Sequence, residues 1–237
     1  MIIIYIAHDP DALKACALTC HSWYIAALPH LHHTITLTGR SELKPLYKLR
    51  RLGLAPLVKE IQVVQTSRMW LVPWAFDSRD FGCFSDFANV QTLMFECLEI
   101  SLFMPDVERY FGHFPSTLRS LTLSSVYCTP RHLSHFLSLF PNLDDIAIWQ
   151  FSMHRHNLTT ANTKFVPFPA PKLRGRLALR MFDSAETWTD IIDSGGSLQF
   201  HYMDLWMVGS CAPVLFEACA KTLETLRFYA ADALVGE

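Results

Sequence analysis

Cysteine and histidine crowd the first 33 residues: Cys16, Cys20, His21, His30, His32 and His33. Zinc takes these side chains as ligands, and Cys16 and Cys20 stand about one helical turn apart. Their spacing fits no finger, ribbon or RING pattern. A cysteine on an apolar helical stripe otherwise behaves as a small hydrophobe. Buried thiols with no metal and no cofactor are therefore expected, and a metal-dependent enzyme is the competing reading. Elsewhere Asp144-Asp145 and His154-x-His156 are short pairs with nothing nearby to complete a catalytic set. His132 and His135 read as surface or flank positions of an apolar helix. Phosphate-cradling glycine loops, nucleophile elbows and metalloprotease helices are all missing. The expectation is a protein that is not an enzyme.

A denser set of recognition side chains emerges from alternation. The frame apolar-x-x-apolar-x-apolar recurs as Val58/Ile61/Val63, Val90/Leu93/Phe95, Leu118/Leu121/Leu123 and Leu143/Ile146/Ile148. It continues as Leu173/Leu177/Leu179 (one residue longer), Phe200/Met203/Leu205 and Leu223/Leu226/Phe228. Its final apolar-x-apolar is a strand signature, because alternate residues of a strand share a side. If those two residues face a core, the residues beside them face the opposite way. In the first three strands the outward positions are mostly small or polar, among them Glu60, Gln62, Thr92, Glu96, Ser120, Thr122 and Ser124. The last four strands place Trp149, Arg176, Arg180, Tyr202, Trp206, Arg227 and Tyr229 there. Trp, Tyr and Arg dominate interface hot spots, so these seven are the candidate residues for binding a protein substrate. The alternative is that neighbouring loops cover Trp149 and Trp206, since tryptophan is usually largely buried.

Strands and helices must alternate to position these side chains. Between the frames at Leu118 and Leu143, Leu133, Phe136, Leu137 and Phe140 share one helical face. Thr129 is suited to cap that helix and Pro130 to begin it. Met104-Pro105-Asp106, Ser184 and Pro213 open further helices. Frames begin 23 to 32 residues apart, a rhythm that suits a divergent repeat array. The expected fold is α/β, a leucine-rich-repeat-like solenoid of parallel strands with helices on the convex side. Residues 152–171 break the rhythm as a loop, where Asn157-Leu-Thr159 is a sequon only in a secreted protein. Ser67 to Phe87 holds Trp70, Trp74, Phe76, Phe81, Phe84 and Phe87, expected as core, with a recognition loop as the alternative. Leu43, Leu46, Leu49 and Leu52 stripe a helix that also carries Lys44, Lys48, Arg50 and Arg51. That helix is expected to join two domains with its charges solvated, and not to bind lipid or nucleic acid.

Composition narrows the classes. With 51% hydrophobic and 18% charged residues in 237, a sizeable core is expected and disorder is not. A formal charge of −2 gives no argument for nucleic acid or acidic lipid. Seven cysteines without paired spacing suggest free thiols in a reducing compartment, cytoplasmic or nuclear. No apolar run reaches the roughly 18 residues of a membrane span.

Asp9-Pro-Asp-Ala-Leu-Lys-Ala-Cys-Ala-Leu-Thr-Cys-His-Ser-Trp23 resembles the second half of an F-box. Leu31 to Leu37 is similar to the strand that follows it in fungal families of F-box proteins. The Leu-Pro opening of the family has no counterpart, and Ile2 to Ile6 takes the place of the first helix's tail. The F-box is therefore expected to be truncated at its N-terminal end, with its upstream portion missing. The expected domains are a helical F-box-like segment (1–37), a linker helix (38–56) and the repeat array (57–237). The resemblance implies a substrate-recognition adaptor of a Skp–cullin–F-box ubiquitin ligase. It also implies that Pro10, Leu13, Leu18 and Trp23 dock on a Skp-type adaptor protein. A repeat scaffold for protein–protein interaction without adaptor binding is the alternative.

Overall fold

Alternating burial decides the architecture. The computed structural model describes residues 6, 8–38, 44–64, 84, 86–97, 100, 111–112, 114, 117–153 and 169–229. Its strands are β1 (Thr34–Thr38), β2 (Glu60–Val64), β3 (Thr92–Glu96) and β4 (Ser120–Cys128). They continue as β5 (Asp145–Met153), β6 (Lys172–Arg180), β7 (Ser197–Trp206) and β8 (Thr225–Tyr229). All pair in parallel and in chain order, forming one eight-stranded sheet. The register aligns the frames as expected. Ile61, Leu93, Leu121, Ile146, Leu177, Met203 and Leu226 form one line across it. Val63, Phe95, Leu123, Ile148, Leu179, Leu205 and Phe228 form the next. Both lines are buried up to β7, and Leu226 and Phe228 on β8 are half exposed. Each buried Leu or Ile contributes about 1.5–3 kcal/mol of transfer free energy.

Helices cover the apolar side of this sheet. Helix α4 (Pro130–Ser138) begins where Thr129 Oγ1 accepts the His132 N–H at 3.2 Å. Leu133, Phe136 and Leu137 join the strand core, with Phe136 edge-on to Phe95. His132 and His135 are 5% and 8% exposed, not on the surface as their flank positions suggest. The reason is that helix α5 (Ala185–Asp193) packs against α4, so a flank becomes interior. Burial first, then the charges of His135 and Arg131, hold the His132 imidazolium below its usual range. Helix α6 (Cys211–Cys219) packs on α5 in turn, beginning two residues before Pro213. Trp188 of α5 is fully buried between Phe182 and Phe200.

Two backbone features adjust the strands. Cys97, Ser125, Gln150, Met181 and Met207 all adopt left-handed φ, between 51° and 58°. Each follows an outward register residue, respectively Glu96, Ser124, Trp149, Arg180 and Trp206, and β4 and β5 resume pairing beyond it as Val126 with Phe151. This step adds one residue and turns the next side chain back to the core. Val126, Phe151, Phe182 and Val208 are buried as a result, three positions beyond the last frame residue. The longer frame at Leu173 is accommodated by Gly175 (φ +86°), where a Cβ would lie 2.0 Å from the Asp144 carbonyl oxygen. Beside it the register of β6 on β7 slips, so that His201 has no partner between Phe200 and Tyr202.

Toward the N-terminus, α1 (Pro10–Ala17) is capped by Asp9, whose Oδ1 accepts the N–H groups of Asp11 and Ala12 at 3.0 Å. With α2 (His21–Leu31) it forms a second, small cluster around Leu13 and Ala27. Strand β1 pairs with β2, and helix α3 (Lys44–Arg51) contributes Leu46 and Leu49 to the main core. Both therefore pack with the sheet. Leu52 of the expected stripe is exposed, and Leu43 lies outside the described residues. Of the aromatic stretch, Phe84 and Phe87 are buried, with Phe84 5.1 Å from Phe114. Trp70, Trp74, Phe76 and Phe81 lie outside the described residues. So do most of the expected 152–171 loop, including His154, His156 and Asn157, and residues 104–110 of the expected helix.

Candidate functional site

The outward side of the sheet divides into a self-bonded half and an arginine-aromatic half. On β1 and β2, Thr34 Oγ1 donates to Glu60 at 3.1 Å, Thr36 Oγ1 to Gln62 at 3.3 Å, and Gln62 Nε2 to Glu60 at 2.7 Å. Those polar groups are occupied with one another. From β5 to β8 the same positions carry large side chains, and parallel pairing brings them side by side. Trp149, Arg180, Trp206 and Tyr229 occupy one register line, which lies at the C-terminal ends of β6, β7 and β8. Strand neighbours stand about 4.8 Å apart, so their side chains stack.

The stacking is specific. The Arg180 guanidinium lies 5.6 Å from the Trp149 ring centre and 5.3 Å from that of Trp206. Trp206 meets Tyr229 edge-on at 5.5 Å. Two register positions earlier, Arg176 sits 4.9 Å over Tyr202 and Arg227 lies 5.7 Å from the same ring. Each cation–π contact contributes roughly 0.5–1 kcal/mol at an exposed site and restricts the arginine. All seven sequence-derived substrate residues are thus brought into one patch. Trp206 and Tyr229 are 46% and 47% exposed, while Trp149 and Tyr202 are half-buried. Between these lines lie Ala147, Ala178, Asp204 and Arg227. The left-handed step adds Met181 and Met207, 53% and 48% exposed, to the rim. Frame reading missed both, because it ended one residue short of the step.

The four adaptor-side residues separate. Pro10 opens α1 and is exposed, and Leu18, just after α1, is 87% exposed. Leu13 is 1% exposed and Trp23 packs beside it, so both serve the α1–α2 contact. Tyr24 and Ile25, which frame and motif reading did not single out, are 42% and 51% exposed on α2.

The groups that suggested catalysis are dispersed. Cys16 is half-buried and Cys20 is exposed at the start of α2, not buried as a helical stripe implies. Among the described residues no three His, Cys, Asp or Glu side chains cluster as metal ligands would. His32 is held below its usual value by burial and then by Lys48. Asp144 Oδ1 accepts Arg174 Nε at 2.8 Å and its Oδ2 lies 3.5 Å from Arg119, which ties three repeats together. Asp145 points to the outward face. Burial pushes the Cys128 and Cys219 thiols up, and burial with the nearby Asp183 charge pushes Cys211 to about 11. These thiols stay protonated at neutral pH. No described helix is long and apolar enough to cross a membrane.

Comparison with protein-family models, curated proteins and solved structures gave no match to this chain.

Proposed function

We propose that the chain is a noncatalytic recognition subunit. It holds a protein substrate on the outward face of β5–β8 and presents it to a Skp–cullin–F-box type ubiquitin ligase, in the cytoplasm or nucleus. The observation that carries this reading is the stacked line Trp149–Arg180–Trp206–Tyr229 on a solvent-facing parallel sheet. Two tryptophans and a tyrosine held half-open beside an arginine form the composition of a hot spot, not of a core. The recurring frame with its left-handed step supports a leucine-rich-repeat-like solenoid. The step continues the frame to apolar-x-x-apolar-x-apolar-x-x-apolar, the leucine-rich spacing with Val or Phe in the usual Asn/Cys position. Pro10 and Leu18 supply the exposed apolar surface for a Skp-type adaptor.

Co-elution of the folded full chain with a Skp-type adaptor tests the ligase link. The expected complex is weakened by Leu18→Asp. A chain that is folded by circular dichroism and gives no complex sinks that link. A second reading, a repeat scaffold without adaptor binding, is favoured by the packing of buried Leu13 and partly buried Trp23 within α1–α2. It expects partner binding that depends on Trp149, Trp206 and Arg180 while no adaptor complex forms.

A further inference from the structure

We infer that the protein segment held on this face is acidic and apolar in composition, with one of its carboxylates seated over Ala178. The inference rests on the outward face being a protein-binding surface. Ala178 lies midway between Arg176 and Arg180 on β6, so all three side chains project from the same side. Its neighbours on the register line are Ala147 and Asp204. The two arginine Cα atoms are separated by about 13 Å along the strand. Two alanines therefore floor a hollow whose walls are Arg176 with Tyr202 on one side and Trp149, Arg180 and Trp206 on the other. Asp204 and Arg227 continue the same register line on the next two strands.

The arginines in those walls are held without being neutralised. Aromatic rings flank the guanidiniums, with ring centres 4.9 Å from Arg176 and 5.6 and 5.3 Å from Arg180. A ring neutralises no charge, and the guanidinium keeps the fork of N–H donors that matches a carboxylate. Lys14, Arg50, Arg119 and Arg174 make ion pairs, whereas among the described residues none of Arg176, Arg180 and Arg227 does. Arg176 leans over Tyr202 of β7, away from its β5 neighbour Asp145. A donor fixed in advance loses less rotamer freedom on binding, which favours this place for an anion.

Charge on the rest of the face selects the class of anion. Glu60, Glu96, Asp145 and Asp204 occupy outward register positions of the same sheet. A nucleic acid needs a continuous positive track along its phosphates, and these carboxylates interrupt one. Asp204 and Asp145 also stand within one or two strand spacings of Ala178, so a single carboxylate meets less repulsion there than a doubly charged group. Met181, Met207, Trp206 and Tyr229, each about half exposed, rim the hollow. They offer adaptable apolar contact to a large side chain next to the acid.

The test is selection of displayed random peptides of about 12 residues, long enough to cross the whole sheet when extended. The target is the folded full chain. Enriched peptides are expected to carry Asp or Glu next to Leu, Phe or Trp. Their affinity is expected to fall at least about tenfold in Arg180→Gln, which removes a charged donor. It is expected to fall similarly in Ala178→Glu, which fills the hollow with like charge and leaves the stacked rings in place. Circular dichroism of both variants matching the parent excludes misfolding. Enriched peptides without acids, or with equal affinity for Ala178→Glu, overturn the carboxylate assignment while leaving the binding face standing. A chain that selects no peptide at all overturns both. Displacement of the bound peptide by single-stranded DNA or by phosphatidylserine vesicles also overturns the assignment.

Discussion

Individual side chains hold neighbouring repeats in register. Asp183 Oδ1 accepts both the N–H and the Oγ–H of Ser210 at 2.7 Å, fastening the end of β6 to the start of α6. Gly209 permits the approach, since a Cβ there would lie 2.8 Å from that oxygen. Those two hydrogen bonds hold the Asp183 carboxyl below its usual range. A folded value below the unfolded one means that the stabilisation is complete above about pH 4 and is lost as pH falls through the folded value. Asp183 is exposed, so Asp183→Ala should cost only about 1 kcal/mol at pH 7. The gap between parent and variant in urea unfolding should close as pH drops below about 4. A gap unchanged at pH 3 would refute the role of the charge. At this scale the sequence was legible where a side chain acts locally, as at the Thr129 cap. It was silent about Asp183 and Ser210, because a bond spanning 27 residues leaves no local pattern.

At the scale of the element, the strand frames were legible because burial imposes a period of two on each strand. The left-handed step was not. Glycine and asparagine normally signal such a backbone, and here Cys, Ser, Gln and Met occupy it. An L-residue in that region costs roughly 1–2 kcal/mol, supplied by the packing of Val126, Phe151, Phe182 and Val208 just beyond it. Replacing Met181 separates backbone from side chain. Met181→Val, β-branched, should destabilise by about 1 kcal/mol or more, whereas Met181→Asn should be neutral or stabilising. Equal urea midpoints for the two variants would contradict a strained step. The stacked arginine line was legible for a related reason. Once each strand's facing is known, parallel pairing fixes which outward residues stand side by side. Which way each arginine leans is set by neighbouring strands, and no single strand encodes it.

For the whole molecule, two hydrophobic clusters matter. One runs through the sheet, α3 and the covering helices, and the other joins α1 to α2 around Leu13 and Ala27. A cluster so small has little apolar area to oppose local opening. Amide hydrogens of residues 10–31 should therefore exchange well before those of β4–β7, which open only with the main core. Uniform protection across both regions would show that the α1–α2 pair is bound into the main core. The sequence marked the helical start as distinct but drew its boundary after β1. Pairing with a strand 26 residues later, Thr34 with Glu60, decides where β1 belongs.

The left-handed step also fixes where this chain can change length. From frame start to step the distance is seven residues at Val90, Leu118, Leu143 and Phe200, and eight at Leu173, where Gly175 takes up the extra one. From each step to the next frame it ranges from 16 to 23 residues. Length thus varies between a step and the next frame, and the face with the stacked arginines keeps its ruler. Repeats can drift in size without moving a recognition side chain out of line with its neighbours.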